Sequence, residues 1–261
     1  MIRLIATDVD GTLVKESSST VYPEIYEEIV RLTDKGIRFC VASGRQFDSV
    51  KKLFAPVEDR LSFIANNGAH IRIDNRDICV QAMEASMVKE ILADIEAYGG
   101  LYVALVTPEG SFTDVTDQSF LDLLYKSYKN DGSYVPDLGP YVENTLKISV
   151  FSRDRALIAG TEYFIPKWKD RCTCCMAGDI WIDFVKSGVD KGNALRTLME
   201  HLQVTPEETM VFGDNGNDLG MIRAAVHSYA VETAIDSVKE AAAHICPGYA
   251  DKGVYQILRR L

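Results

Sequence analysis

Short apolar runs alternate with amphipathic segments in the first part of the chain. Residues 2–7 form a β-like run that predicts a buried strand. Residues 23–35 place apolar side chains on one helical face and are followed by Gly36, a residue that favours a helix end. Residues 37–42 then predict a second strand. This alternation is typical of parallel strands that are joined by crossover helices.

The same alternation continues to about residue 83. It predicts a helix near residues 47–54 and a strand at 62–65, followed by a turn at Asn66-Asn67-Gly68. Two short runs, 71–73 and 78–80, then predict a hairpin.

The pattern changes between about residues 84 and 184. Helices are predicted at 88–98, 120–128 and 156–164, and strands at 101–106, 147–151, 172–176 and 180–185. This order indicates an inserted α+β domain.

The α/β alternation resumes after Gly188, with a helix at 191–202, a helix start at Thr205 that has capping-box spacing, and a buried strand at 210–212.

The chain is therefore expected to be an α/β protein with a doubly wound, mostly parallel, Rossmann-like sheet and one inserted α+β domain. We assign residues 1–83 and 187–261 to the α/β core and residues 84–186 to the insertion. The chain passes from the core to the insertion near residue 83 and back near residue 187, and these two points would act as hinges.

Composition narrows the classes of protein that fit this pattern. Hydrophobic residues make up 47% of the 261 residues and charged residues 25%, as in ordinary globular proteins. The sequence has no run of about 18 apolar residues, which argues against a membrane span. The N-terminal apolar run is too short for a signal peptide, so we expect a cytoplasmic protein.

Charge and cysteine content exclude further classes. A formal charge of −10 argues against nucleic acid as a partner, because a polyphosphate backbone would be repelled. Six cysteines in a chain of this length do not resemble a disulfide framework, so reduced thiols are expected. The run at Cys172, Cys174 and Cys175 lacks the Cys-x₂-Cys spacing of zinc sites, and a strand would direct the last of them to the opposite face.

Candidate chemistry begins at the end of the first predicted strand, where the sequence reads Asp8-Val-Asp10-Gly11-Thr12. Two carboxylates this close at a strand end repel each other unless a cation or a shared proton intervenes. Their hard oxygen ligands point to Mg²⁺. Taken alone, the same residues could be a common turn or a fragment of a calcium loop.

A second acidic cluster follows the predicted strand at 210–212. It reads Gly213-Asp214-Asn215-Gly216-Asn217-Asp218 and precedes a helical pattern. These residues could be a turn whose aspartates cap the next helix, and they could also supply ligands. The two interpretations are compatible.

Two further predicted strand and helix boundaries supply groups that suit a phosphate. Ser43 and Gly44 offer a hydroxyl and backbone N–H groups near a helix start, where an anion can be held. Lys191 adds a cation at another predicted helix start. Ser43 could instead be only the N-cap of a helix, and Lys191 could be only a solvated surface lysine.

Taken together, these four segments resemble, in order and spacing, the four motifs of the haloacid dehalogenase-like (HAD) phosphohydrolases. The large insertion between the second and third motifs is similar to the cap domain of the Cof-type branch. The segments 65–69 and 251–254 also resemble that branch, whereas 231–234 departs from its Gly-Asn-Ala turn. The resemblance spans the whole chain.

The resemblance implies a catalytic mechanism. Asp8 would be the nucleophile that takes the phosphoryl group as an aspartyl-phosphate, with Mg²⁺ and Lys191 balancing charge. Asp10 would protonate the leaving alkoxide and later deprotonate the attacking water.

The resemblance also implies a set of ligands. The metal would be held by the carboxylates of Asp8 and Asp214 and by the backbone carbonyl of Asp10, with Asp218 beside the ion rather than on it. The residues implied to hold the phosphate are Ser43, Gly44, Lys191 and Asn217.

The expected partner is a small phosphorylated metabolite. The resemblance favours sugar phosphates and leaves pyridoxal phosphate and nucleotides open. Substrate choice is expected to lie in the cap domain, first in residues 179–184 and 114–118. Two other functions stay open, a phosphomutase of the same fold and a regulatory module that accepts a phosphoryl group without turning it over. The sequence does not indicate an oligomeric state.

Overall fold

The computed structural model describes residues 1–15 and 18–261. These form two compact units, the first made of Met1–Cys79 and Asp190–Leu261 and the second of Val80–Val189. The domain bounds expected from the sequence, at 83/84 and 186/187, differ from these divisions by a few residues.

The bounds of the regular elements are as follows. The strands are β1 Leu4–Thr7, β2 Arg38–Ala42, β3 Leu61–Ala65, β4 His70–Ile73, β5 Arg76–Val80, β6 Tyr102–Thr107, β7 Gly110–Thr113, β8 Gly132–Tyr134, β9 Lys147–Phe151, β10 Thr173–Met176, β11 Trp181–Val185, β12 Thr209–Gly213, β13 His227–Val231 and β14 His244–Cys246. The α-helices are α1 Pro23–Asp34, α2 Phe47–Leu53, α3 Ala85–Tyr98, α4 Gln118–Asp122, α5 Ala156–Ile158, α6 Ile165–Trp168, α7 Lys191–Leu202, α8 Leu219–Ala224, α9 Asp236–Ala241 and α10 Gly253–Leu258.

The first unit is built on an eight-stranded sheet with the order β14-β13-β12-β1-β2-β3-β4-β5. The pairs from β14 to β3 are parallel, and β4 runs antiparallel to β3. Every residue of β1, β3 and β12 is buried, as expected for strands in the middle of a parallel sheet. The α/β fold expected from the sequence is confirmed.

Helix α1 begins at a proline and is followed by a glycine, the residue types that favour a helix start and a helix end. In α1, Pro23 occupies a first-turn position, where its missing N–H costs nothing, and the buried side chains Ile25, Ile29 and Leu32 lie on one face. The chain leaves this helix at Gly36 with φ of 82°, a left-handed conformation that glycine adopts without strain.

The second unit contains a six-stranded, mostly antiparallel sheet with the order β10-β11-β9-β6-β7-β8. Its larger apolar cluster packs side chains of α3, such as Val88 and Ile91, against Ile148 and Phe184 of the sheet. A smaller cluster gathers Phe120 with other aromatic side chains. The unit therefore has an apolar core of its own.

Two predicted helices of this unit differ from the structure. The helix predicted at 156–164 is a short α-helical turn, a wider π-helical segment over 159–164 and then α6. Pro166 lies in the first turn of α6 and cannot donate to the Glu162 carbonyl, so the hydrogen bonding of one continuous α-helix is interrupted there. The helix predicted at 120–128 likewise widens into a π-helical segment over 123–127 after α4. Neither β7 nor β8 was predicted.

None of the helices in the two described ranges combines the length and the apolar character that a membrane crossing requires.

Candidate active site

The acidic and polar segments converge because their strands are parallel and in register. Thr7, the last residue of β1, pairs with Val41 of β2 and with Phe212 of β12. The residues that follow these three strands therefore emerge at one edge of the sheet, which is where open α/β sheets bind ligands. Asp8 is tied directly to that edge, since its backbone N–H donates to the Phe212 carbonyl over 3.0 Å.

Lys191 joins two of the acidic side chains. It is the first residue of α7, whose N-cap Asp190 accepts a hydrogen bond from the Asn193 N–H. Its Nζ lies 2.5 Å from Oδ1 of Asp8 and 2.6 Å from Oδ1 of Asp218, and its side chain is fully buried. A buried ammonium group persists only with partners of opposite charge, so this lysine and the carboxylates depend on one another.

Asp218 has both carboxylate oxygens engaged. Oδ1 accepts from Lys191, and Oδ2 accepts from the backbone N–H groups of Asp214 at 3.0 Å and Asn215 at 3.2 Å. These bonds join the lysine to the loop after β12, and both oxygens of Asp218 already have partners.

Asp8, Asp214 and Asp218 form a carboxylate cluster, with one oxygen from each lying within 4.8 Å of the others. Oδ2 of Asp8 is buried and has no hydrogen-bond partner among the described residues. Oδ1 of Asp214 accepts from the Thr12 hydroxyl over 2.9 Å. An unpartnered buried oxygen beside other carboxylates fits a hard divalent cation such as Mg²⁺.

Burial and mutual repulsion dominate the electrostatics of this cluster. Burial, with the charge of Asp218, raises the pKa of Asp8 well above its usual value, and Lys191 opposes that rise. Burial, again with Asp218, raises the pKa of Asp214 to about 7. Burial lowers the pKa of Lys191, but the charges of Asp218 and Asp8 outweigh it, and the net pKa lies above the usual value. Lys191 is therefore a permanent cation.

Two glycines allow the acidic segments to approach. A Cβ on Gly11 would lie 2.2 Å from Oδ2 of Asp214, and the residue also has a φ of 89°. A Cβ on Gly213 would lie 2.6 Å from Cβ of Asp218. A larger residue at Gly11 would push the segment after β1 away from Asp214, and one at Gly213 would displace Asp218 within its own loop.

Asp10 is held by a side chain that the sequence reasoning missed. Both of its carboxylate oxygens accept from Arg45, one from Nε and one from Nη2, each over 2.6 Å. The same Nη2 donates to the Ser18 carbonyl over 2.8 Å, and Arg45 is largely buried. A planar guanidinium binds a carboxylate in this two-pronged way with high geometric specificity. The only sequence signal was its place directly after Ser43-Gly44.

Three of the four phosphate-binding candidates, Ser43, Gly44 and Asn217, lie next to Asn67, a residue whose part in the site the sequence reasoning missed. Ser43 is buried, and its Oγ accepts from the Arg45 backbone N–H over 3.1 Å. Asn217 donates through Nδ2 to Oδ1 of Asn67 over 3.0 Å. That same oxygen lies 2.9 Å from where a Cβ on Gly44 would stand.

The segments proposed to choose the substrate lie in the second unit. In β11, Asp183 is buried and accepts from Lys147 Nζ over 3.0 Å and from the Ser149 hydroxyl over 2.8 Å. Asp117 is the N-cap of α4 and accepts from the Ser119 and Phe120 N–H groups. The role of both segments in substrate choice stays a prediction.

Two cysteines of the run, Cys172 and Cys174, pack in the larger apolar cluster of the second unit. None of the six cysteines forms a disulfide in the described chain. Burial raises the pKa of Cys172 to about 11, so its thiol is a poor nucleophile.

This fold and this cluster of carboxylates around a buried lysine define a class of hydrolase. The family model described as haloacid dehalogenase-like hydrolase matches residues 5–258, and the chain belongs to that family. Membership of the Cof-type branch, expected from the sequence, is confirmed. The chain is an enzyme, a hydrolase of the phosphomonoesterase type.

Individual relatives cover nearly the whole chain. The chain is 23% identical to the 5-amino-6-(5-phospho-D-ribitylamino)uracil phosphatase YbjI of Escherichia coli strain K12, over 100% of this chain and 96% of that protein. It is 25% identical to a phosphoglycolate phosphatase of Methanospirillum hungatei, over 99% of this chain and 96% of that protein.

Solved structures show the same fold. A protein from Eubacterium rectale is 36% identical with a TM-score of 0.86, covering 99% of this chain and 98% of that one. TM0651 from Thermotoga maritima is 26% identical with a TM-score of 0.82, covering 100% and 98%.

Proposed function

We propose that this protein is a Mg²⁺-dependent phosphatase that hydrolyses small phosphate monoesters, sugar or polyol phosphates in particular, through an aspartyl-phosphate on Asp8. One observation carries the proposal above all others. Asp8 has one oxygen paired with Lys191 and the other buried without a partner in the described chain, next to Asp214.

This arrangement suits a nucleophile. Lys191 holds one oxygen of Asp8 and so fixes the orientation of the carboxylate, which lets one oxygen face phosphorus while the group also serves as a metal ligand. The lysine also opposes the burial that raises the pKa of Asp8, which favours the ionised form that attacks. In the first step a bond forms between an Asp8 oxygen and phosphorus while the bond from phosphorus to the leaving oxygen breaks.

Asp10 supplies the proton transfers. It gives a proton to the leaving alkoxide in the first step and takes one from the water that cleaves the aspartyl-phosphate in the second. Because Arg45 holds both of its oxygens, Asp10 has to exchange at least one of these contacts for the substrate before it can act.

The metal ligands would be the carboxylates of Asp8 and Asp214 and the backbone carbonyl of Asp10. Mg²⁺ bound there would neutralise charge on the transferring phosphoryl group. Asp218 is left out of this set because its two oxygens already hold Lys191 and the loop after β12.

The phosphate oxygens would be held by four donors that lie around the same strand ends. They are the Ser43 hydroxyl, the Gly44 N–H, the Asn217 amide and the Lys191 ammonium.

The names of two relatives support the proposed substrate class. One relative is named for a phosphorylated ribitylamino compound and another for phosphoglycolate. Both names describe small phosphate monoesters, and the first carries a polyol chain, which supports sugar or polyol phosphates for this chain.

Phosphate release from a substrate panel tests the proposal. The panel holds hexose and pentose phosphates, 5-amino-6-(5-phospho-D-ribitylamino)uracil, phosphoglycolate, pyridoxal phosphate and nucleotides. We expect steady release that needs Mg²⁺, is stopped by a chelator and is lost in Asp8→Asn. An isomerised sugar phosphate without phosphate release would instead indicate a mutase. Labelling of one phosphoryl group per chain without turnover would indicate a regulatory module.

A further inference from the structure

A strained turn follows β3 at residues Asn66, Asn67 and Gly68. All three have positive φ, at 51°, 55° and 104°. Left-handed backbone is uncommon outside glycine and carries a conformational cost that is usually kept where function requires it. Both asparagines are buried. The mechanism above gives this turn no role.

Asn67 contacts two of the segments proposed to hold phosphate. Its backbone N–H donates to the Ser43 carbonyl over 3.1 Å, and its Oδ1 accepts from Nδ2 of Asn217 over 3.0 Å. The same Oδ1 packs so closely on Gly44 that a Cβ there would lie 2.9 Å away.

Gly68 brings in the third segment. A Cβ on Gly68 would stand 2.5 Å from the carbonyl oxygen of Asp190, the residue that caps α7 directly before Lys191. One turn thus packs against the segments that carry Ser43, Lys191 and Asn217, which are far apart in the sequence.

The chemistry of a primary amide makes the Asn67 contact specific. An asparagine amide has two N–H bonds on one side and one oxygen on the other, and either side can face a ligand unless a partner decides. An acceptor that takes one N–H of Asn217 sets the rotation of the whole amide. The second N–H can then be directed at a phosphate oxygen.

We infer that Asn67 is a positioning residue that orients Asn217 for phosphate binding, an inference that rests on the proposed function. The left-handed turn is what places its side chain between Gly44 and Asn217. Asn67 itself need not touch the substrate.

A double-mutant cycle on orthophosphate binding tests this inference. The dissociation constant of orthophosphate is measured by calorimetry with Mg²⁺ for the full chain and for Asn67→Gly, Asn217→Ala and the double variant. Glycine keeps the left-handed backbone and the N–H bond to Ser43, so only the side chain is lost. We expect each single variant to weaken binding about tenfold, the scale of one hydrogen bond to a charged group.

The double variant decides whether Asn67 acts through Asn217. If it does, Asn67→Gly has no further effect once Asn217 is alanine, and the double variant binds orthophosphate like Asn217→Ala alone. If the two effects multiply, or if Asn67→Gly binds like the unaltered protein, the inference is wrong.

Asn66→Gly is the matched control. Asn66 lies in the same turn with a similar φ, and its Oδ1 has no partner in the part of the chain that the structure describes. This variant is expected to bind orthophosphate normally, and an equal weakening would assign the effect to the backbone and overturn the inference. Should Asn67→Gly not fold, Asn67→Ser enters the same cycle.

The readout separates this inference from the proposed function. Orthophosphate affinity does not require turnover, so the cycle can fail while phosphate release and its loss in Asp8→Asn stand. Turnover that persists in Asp8→Asn would refute the catalytic proposal by itself.

Discussion

Replacing Lys191 by methionine tests the electrostatic balance of the site most directly. The substitution keeps a side chain of similar length and removes the ammonium group that lies against Asp8 and Asp218. Two buried carboxylates then face each other and Asp214 without that cation. We expect the variant to lose activity and also stability.

The expected loss of stability is large for one substitution. Removing one partner from a buried ion pair costs about 3–5 kcal/mol, because a buried charge is left without compensation. Lys191 has two such partners, so we expect the upper part of this range at about pH 8 in the absence of metal. Mg²⁺ would reduce the loss, since a bound cation restores positive charge.

The loss should shrink in acid. The folded-state pKa of Asp8 is already raised by burial, and removing Lys191 raises it further above the unfolded value. The folded variant then binds more protons than the unfolded chain, so stability is retained at low pH and is lost as pH rises through the folded pKa.

Urea unfolding with a chelator at about pH 5.5 and about pH 8 measures both effects. The double variant Lys191→Met with Asp218→Asn is the matched control, because it removes one of the two stranded charges and should recover part of the loss. A cost below about 1 kcal/mol at both pH values, or a cost that grows in acid, would show that the carboxylates do not depend on this cation.

Three further predictions concern the metal and the proton transfers. The pKa of Asp214 is raised to about 7, and a carboxylate must lose its proton to bind a cation. The rise in melting temperature that Mg²⁺ causes should therefore be larger at about pH 8 than at about pH 5.5. An equal rise at both pH values would contradict this. Gly11→Ala places a Cβ 2.2 Å from the Asp214 carboxylate. In a calorimetric titration it should weaken Mg²⁺ binding by about tenfold or more. An unchanged affinity would mean that the segment after β1 shifts without moving the metal ligands. Asp10→Asn leaves one oxygen for Arg45. In a single turnover it should lower the rate of phosphoryl transfer to Asp8 by roughly 10²–10⁴-fold for alkyl phosphates and by less for aryl phosphates, whose leaving groups need less protonation, and an equal loss of that rate for both classes would argue against its role as acid.

The sequence by itself determined the elements with strong local patterns. The apolar runs of β1, β2 and β9 and the helical face of α1 lie close to where the structure has them, because continuous or periodic apolar residues have only one way to be buried. It also determined which residue types stand at the strand ends. At residues 159–164, just before Pro166, the sequence alone predicted a regular helix, whereas the chain forms a π-helical segment there.

The tertiary structure alone decided which side chains meet. Three contacts join segments that lie far apart in the chain or that face each other only once the strands are in register. They are the contacts of Arg45 with Asp10, of Asn67 with Asn217 and of Asp218 with Lys191. A sequence lists polar residues at strand ends, but their partners depend on sheet order and on backbone conformations such as the left-handed turn at Asn67. Distances of a few ångströms between charges set the pKa values and the ion pairs, and those distances exist only after the chain has folded.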